Sequence, residues 1–174
     1  HLGWLSAFTI PFVIYSLIRF PYMLQRVKPY INPLGDPPAK SFQINQSYIA
    51  LGSGGTFGVG LGEGRQKLFF LPQPHTDFVF SVLAEEWGFV GGLSLLSLYA
   101  TLLWMLLSAS ARAKERFGAL LLLGVVSLFF WHIIINLGGV LGLLPLTGVP
   151  LPLLSYGGSS VLTFSIAMGL AFNI

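Results

Sequence analysis

The sequence has no cysteine, only 9% charged residues and three histidines. Without cysteine there is neither a disulfide framework nor a thiolate metal site. The shortage of charge excludes more. An ordinary soluble domain carries about a quarter charged residues, whereas 54% of this chain is hydrophobic and its mean hydropathy is +0.77. Such a chain belongs in lipid. A net charge of +3, with the cations scattered, makes no basic stripe of the kind nucleic acid requires, so no nucleic-acid partner is expected. What the chain does have is glycine (21) and proline (11), which in an apolar setting fit membrane helices interrupted by structured loops.

Hydropathy divides the chain into four spans, near residues 2–18, 78–107, 117–137 and 161–174. The expected fold is therefore all-α, a polytopic helical membrane protein. The apolar opening lacks a charged n-region and a small-residue cleavage site, so no cleavable signal is expected. The last span supplies fewer than the ~20 residues needed to cross ~30 Å of hydrocarbon, so the chain reads as part of a longer membrane protein. Between the first two spans runs a connection over residues 20–76, too long for a turn and too apolar in places for disorder. Residues 43–51 (QINQSYIAL) read as a short interfacial helix. In the glycine-rich stretch that comes next, Gly54, Gly58 and Gly62 suit close backbone packing more than ligand contact. No GK[ST] ends it, which rules out a phosphate-binding P-loop. The loop at 111–116 carries Arg112, Lys114 and Arg116; short basic loops face the cytoplasm, which puts 20–76 and the connection at 138–160 on the outer face.

The charge that remains is concentrated. Asp77 precedes the second span, where a carboxylate would cap the helix through its first-turn amides and favour its positive end. The same carboxylate, at the mouth of a cavity, could take a proton from an attacking hydroxyl or hold a divalent cation. Glu85 and Glu86 lie two turns deeper and point about 100° apart, which favours structural pairing with cations. Arg65 and Lys67 are suited to lipid phosphate or to a pyrophosphate on a lipid-linked substrate. His132 and Asn136 are four residues apart and share a face of the third span; hydrogen bonding between helices is the first expectation for them, with cavity lining as the alternative. In LTGVPLPLLSYGGSS (residues 146–160) Pro150 and Pro152 forbid a regular helix, and Ser159 or Ser160 can cap the last span. Irregular backbone beside lipid must be buried in protein or line a wet cavity, so this segment is expected to wall the site. The candidate substrate contacts are Arg65, Lys67, His75, Thr76, Ser155, Tyr156 and Ser159. Three carboxylates and no cysteine argue against zinc and leave Mg²⁺ or Mn²⁺ open, with Asp77 as a candidate ligand.

Three motifs, GSGGTFGVGLG (52–62), RQKLFFLPQPHTDFVFSVLAEEWGFVGG (65–92) and GVPLPLLSYGGSS (148–160), occur in order along the spans. On these motifs the chain resembles the RodA/FtsW/SpoVE (SEDS) family of cell-wall proteins. The resemblance implies ten membrane helices, of which these would be the seventh to tenth, with residues 20–76 as a large structured extracellular loop. It implies a peptidoglycan glycosyltransferase of the bacterial cytoplasmic membrane that polymerises lipid II, works with a class B penicillin-binding transpeptidase and uses no organic cofactor. The family's essential acid falls on Asp77, and divalent-metal dependence is associated with the family. The usual acid of its LPE motif is Gln73 here, which removes that position as a carboxylate. Thr147 before GVPLPLLSYGG is RodA-like, whereas GLGEGRQKLFFLP leans toward FtsW and SpoVE; the elongation type is preferred. A lipid II flippase and a non-catalytic scaffold for the transpeptidase are the competing readings.

Overall fold

The computed structural model describes residues 39–64 and 76–174. The chain divides into two compact units, His1–Phe42 and Gln43–Ile174. Among the described residues the structure is helical: α1 (Ala39–Ser53), α2 (Val79–Arg112), α3 (Arg116–Val140) and α4 (Gly158–Phe172). Residues 43–53 of α1 and the whole of α2, α3 and α4 belong to the second unit. The span expected at 2–18 lies outside the described residues.

α2 and α3 are each long and apolar enough to cross a membrane, and α4 is a shorter apolar helix. Trp104, Met105, Leu98, Phe117, Leu120 and Trp131 are all more than half exposed. A soluble protein would bury such side chains; on these helices they face where lipid would be. Leucine is the commonest residue of 79–140, and no proline interrupts the stretch. Arg112 sits in the last turn of α2, where a cation favours the negative helix end. The turn to α3 is tied by the Ser110 hydroxyl donating to Ala119 O at 3.0 Å.

α3 packs on both α2 and α4 and builds two apolar clusters. Toward the Asp77 end, Phe78, Phe80, Tyr99, Ile133, Val140 and Leu151 meet. Toward the basic loop, Leu106, Leu122, Val125, Val126, Phe129, Phe164 and Ala167 meet, with the Phe129 and Phe164 rings edge to face at 5.0 Å.

α3 runs to Val140, past the expected limit at 137, and ends in a Schellman turn. Leu143 N–H donates to Gly138 O (2.8 Å), Gly142 N–H donates to Gly139 O (3.1 Å), and Gly142 takes φ +66, the left-handed conformation this turn needs. The next free carbonyls are capped by α1. Ser47 Oγ donates to Val140 O at 2.9 Å and Tyr48 Oη donates to Leu141 O at 3.1 Å. A hydroxyl has one proton, so in the 2.7 Å contact between Ser47 and Ser81 it is Ser81 that donates. Ser47, Ser81 and Ala50 are fully buried, so α1 is docked on the ends of α2 and α3 through this face rather than merely floating at an interface.

α2 is not the single uninterrupted helix expected. Gly88 has φ +68 and ψ −163, which breaks it. In a continuous helix the amides of 89 and 90 would bond the carbonyls of 85 and 86. Here Phe89 N–H donates to Gly55 O (2.9 Å) and Val90 N–H to Thr56 O (3.2 Å), while Glu85 O accepts from Val59 N–H (3.0 Å) and Glu86 O from Gly60 N–H (3.1 Å). The glycine-rich loop thus replaces, one for one, the two helical hydrogen bonds the break opens. That is what the low-dielectric surroundings demand of irregular backbone. The contact is close because it is built of glycine. A Cβ on Gly54 would lie 2.0 Å from Ala84 O, one on Gly58 2.1 Å from Glu86 O, and one on Gly88 2.3 Å from Gly58 N. The expectation of close packing therefore holds for Gly54 and Gly58. Among the described residues it does not extend to Gly62, where a Cβ would meet none of them within 4 Å.

Candidate active site

Asp77 stands one residue before the N-cap of α2, which is Phe78 and carries no side-chain capping bond. Asp77 belongs to the turn that leads into the helix. Its partly buried carboxylate faces the loop between α3 and α4: Oδ2 is 3.5 Å from where a Cβ on Gly148 would stand. Gly148 has φ +73. A side chain there would be strained by the backbone, so glycine serves the turn, and a Cβ in its place would stand in ordinary contact range of the carboxylate. Sequence reading missed Gly148; its only signal was a glycine ahead of the VPLP run.

The wall facing Asp77 is residues 145–157, which the prolines keep out of helix. Its carbonyls are taken up by side chains from the spans. Asn136 Nδ2 donates to Val149 O at 2.7 Å, and Tyr99 Oη donates to Pro152 O at 2.6 Å. Ser155 N–H closes on Leu151 O at 3.1 Å, and the Ser155 hydroxyl accepts from Leu151 N–H at 2.8 Å. The same elements reach across to the Asp77 turn. Asn136 Nδ2 donates to Asp77 O at 3.0 Å, and Ser155 Oγ donates to Thr76 O. The segments are 59 to 79 residues apart in sequence, yet two consecutive carbonyls of one are held by the apparatus that shapes the other.

The remaining sequence candidates separate. Asn136 bonds a turn and a loop instead of a neighbouring helix, which corrects the interhelical expectation. His132, on the same face, does something different: Nδ1 lies 2.8 Å from Leu128 O, which fixes Nδ1 as the protonated nitrogen, and the ring meets Phe164 edge to face at 5.1 Å. It lines a small recess of about 150 Å³ with Pro150, Ser159, Ser160, Thr163 and Phe164. Ser155 is 2% exposed with its hydroxyl engaged within the protein, so it shapes the site and is no open substrate contact. Tyr156 is 80% exposed and Ser159 is exposed, so both are accessible. The N-cap of α4 is Gly157, without a side-chain cap, and Ser160 Oγ instead donates back to Gly157 O at 2.9 Å; neither Ser159 nor Ser160 caps the helix. Glu85 is 2% exposed and lies with Glu86 against Gly64, behind the helix break. Both acids therefore belong to the interlock and stand apart from the Asp77–Gly148 contact. Arg65, Lys67 and His75 lie outside the described residues. Among the described residues no three His, Asp or Glu side chains converge as a metal site, and no step of the reaction is routed through a metal.

The family model described as "Cell cycle protein", covering FtsW, RodA and SpoVE, matches residues 2–174. The chain belongs to this family. It is 41% identical to stage V sporulation protein E of Bacillus subtilis (strain 168) over its whole length, covering 48% of that relative. It is 44% identical to the probable peptidoglycan glycosyltransferase FtsW of Trichlorobacter lovleyi over 95% of the chain and 43% of the relative. With the peptidoglycan glycosyltransferase RodA of Treponema pallidum it is 46% identical over 88% of the chain and 36% of the relative. The chain thus spans about half, or less, of the length of these curated relatives. Among solved structures it resembles one described as "Structural coordination of polymerization and crosslinking by a peptidoglycan synthase complex", with TM-score 0.71, 37% identity, and 98% of this chain and 46% of that one covered. It also resembles the rod shape determining protein RodA of Thermus thermophilus, with TM-score 0.55, 41% identity, and 72% and 37% covered. The polytopic helical membrane fold read from the sequence is the fold of this family.

Proposed function

We propose that the protein is a peptidoglycan glycosyltransferase that polymerises lipid II at the outer face of the bacterial cytoplasmic membrane, with Asp77 as its general base. The observation that carries this reading is the seat of Asp77. It is a partly buried carboxylate at the end of an apolar span, set against a glycine, with the carbonyl of residue 76 tied to Ser155 of the facing loop and that of residue 77 to Asn136 of α3. A carboxylate near lipid is costly unless it has work to do, and general-base chemistry requires this kind of fixed geometry.

The 4-hydroxyl of one glycan unit attacks the anomeric carbon of another. The new C–O bond forms as the bond to the pyrophosphate oxygen breaks, and undecaprenyl pyrophosphate leaves with the bonding electrons. Asp77 takes the hydroxyl proton. Cations near the leaving group would stabilise its charge, and Arg65 and Lys67 are the candidates. The names of the relatives support the glycosyltransferase activity, and the description of the synthase complex, which couples polymerisation to crosslinking, supports a crosslinking partner; a class B penicillin-binding transpeptidase is the one proposed. Thr147 and the segment after it favour the elongation (RodA) type; a division-type FtsW would run the same chemistry.

The test is lipid II polymerisation by purified full-length protein beside its Asp77→Asn and Asp77→Ala variants. Loss of a general base lowers the rate by about 10²–10⁴-fold, with helix content and unfolding temperature unchanged. Glycan strands made at the wild-type rate by either variant would remove Asp77 from the chemistry. If polymerisation were absent from the wild type but lipid II crossed the bilayer, the flippase reading would stand instead.

A further inference from the structure

We propose that Asn136 and Ser155 are positioning residues for Asp77, clamping its turn to the loop at 148–155 so that the carboxylate is held where it meets the attacking hydroxyl. The inference rests on the reading of Asp77 as the base.

Asn136 is 5% exposed and Ser155 2%, so neither is placed to touch a substrate; what they touch is backbone. Asn136 uses both amide hydrogens on carbonyl oxygens, Asp77 O at 3.0 Å and Val149 O at 2.7 Å. Because both partners are acceptors, the amide can stand only one way round, with its Nδ2 between the two strands of chain. Ser155 repeats the pattern one residue earlier: it accepts from Leu151 N–H within its own loop and donates to Thr76 O. Asp77 precedes the first turn of α2 and so lies outside the helix ladder. Two buried side chains instead fix its peptide on both sides.

One detail separates this clamp from ordinary structural polarity. Asn136 Oδ1 is buried and has no hydrogen-bond partner among the described residues. A buried acceptor left unmade is destabilising, and the large majority of buried side-chain polar atoms in native proteins are paired. An apolar residue of the same shape would remove that acceptor but leave Asp77 O and Val149 O without their donors. Asparagine is retained at a stability cost because two donors must be aimed at two carbonyls, and one of those carbonyls belongs to the catalytic residue.

The experiment uses full-length protein in nanodiscs, with initial polymerisation rates measured across lipid II concentration and unfolding followed in parallel. The variants are Asn136→Leu, which keeps the shape and removes both donors and the orphan acceptor, and Ser155→Ala. Both are expected to fold, with kcat reduced roughly 10–100-fold, the size of effect an ångström-scale misplacement produces, and KM within about twofold of wild type. A residue that merely stabilised the fold would lower the unfolding temperature and leave kcat per folded molecule alone; that result overturns the proposal. A raised KM at unchanged kcat would make these residues substrate contacts and overturns it too. Should Asn136→Leu not fold, Ser155→Ala decides by the same split. Inactive Asp77→Ala beside fully active Asn136→Leu and Ser155→Ala refutes the clamp alone; fully active Asp77→Ala refutes the base.

Discussion

Gly58→Ala tests the interlock between the glycine-rich loop and the break in α2. The added methyl would stand 2.1 Å from Glu86 O, 2.4 Å from Glu86 C and 2.7 Å from Gly88 N. All three are backbone atoms, so no side chain can swing away. The residue also has φ +83, which costs a residue with a Cβ about 1 kcal/mol or more. To relieve the clash the loop must lift, and the nearest bonds lost are Val59 N–H to Glu85 O and Gly60 N–H to Glu86 O. Each is worth about 1 kcal/mol if water replaces it, and about 1–3 kcal/mol if the groups stay buried and unpaired. The total is about 3 kcal/mol with water present and about 3–7 kcal/mol without, a factor of at least about 100 in local opening. Hydrogen exchange on peptides covering 55–60 and 85–90 reads this directly, with thermal unfolding of the detergent-solubilised protein alongside. Gly52→Ala is the control: its new Cβ meets nothing within 4 Å, and within α1 alanine is neutral or slightly stabilising. If Gly58→Ala exchanged and melted like Gly52→Ala, the replacement of helical hydrogen bonds by the loop would be wrong.

Side chains that satisfy backbone between the spans give two more tests. Ser47→Ala removes the donor to Val140 O and the acceptor of the Ser81 hydroxyl at a fully buried site; a loss of about 1–3 kcal/mol in chemical or thermal unfolding is expected. Adding Ser81→Ala should recover part of that loss by removing the stranded hydroxyl, and a double variant less stable than the sum of the singles would count against this network. Tyr99→Phe deletes the bond to Pro152 O with little change of shape. It should lower stability by about 1 kcal/mol and loosen residues 150–155, seen as faster hydrogen exchange there, whereas unchanged exchange would mean that the loop is held by other contacts.

What the sequence determined by itself is whatever depends on composition and local pattern. Apolar length and the lack of charge decided a helical membrane protein, because transfer of side chains into hydrocarbon is additive along a span. Proline at 150 and 152 decided an irregular wall, because proline cannot continue a helix. The HTDF and VPLPLLSYGG motifs placed the family and pointed to Asp77. Tertiary structure decided what depends on partners distant in sequence. Gly88 lies in a stretch that reads as continuous helix, and its break is stable only because residues 55–60 supply the missing donors and acceptors. Asn136 and His132 look equivalent four residues apart, yet one reaches the Asp77 turn and the other meets Phe164 of α4. Ser155 reads as a substrate contact from its motif and is spent on Thr76 O. Glycine at 148 is silent until the carboxylate is seen beside it. In each case the deciding quantity is a hydrogen bond or a steric approach between segments tens of residues apart, which no local pattern encodes.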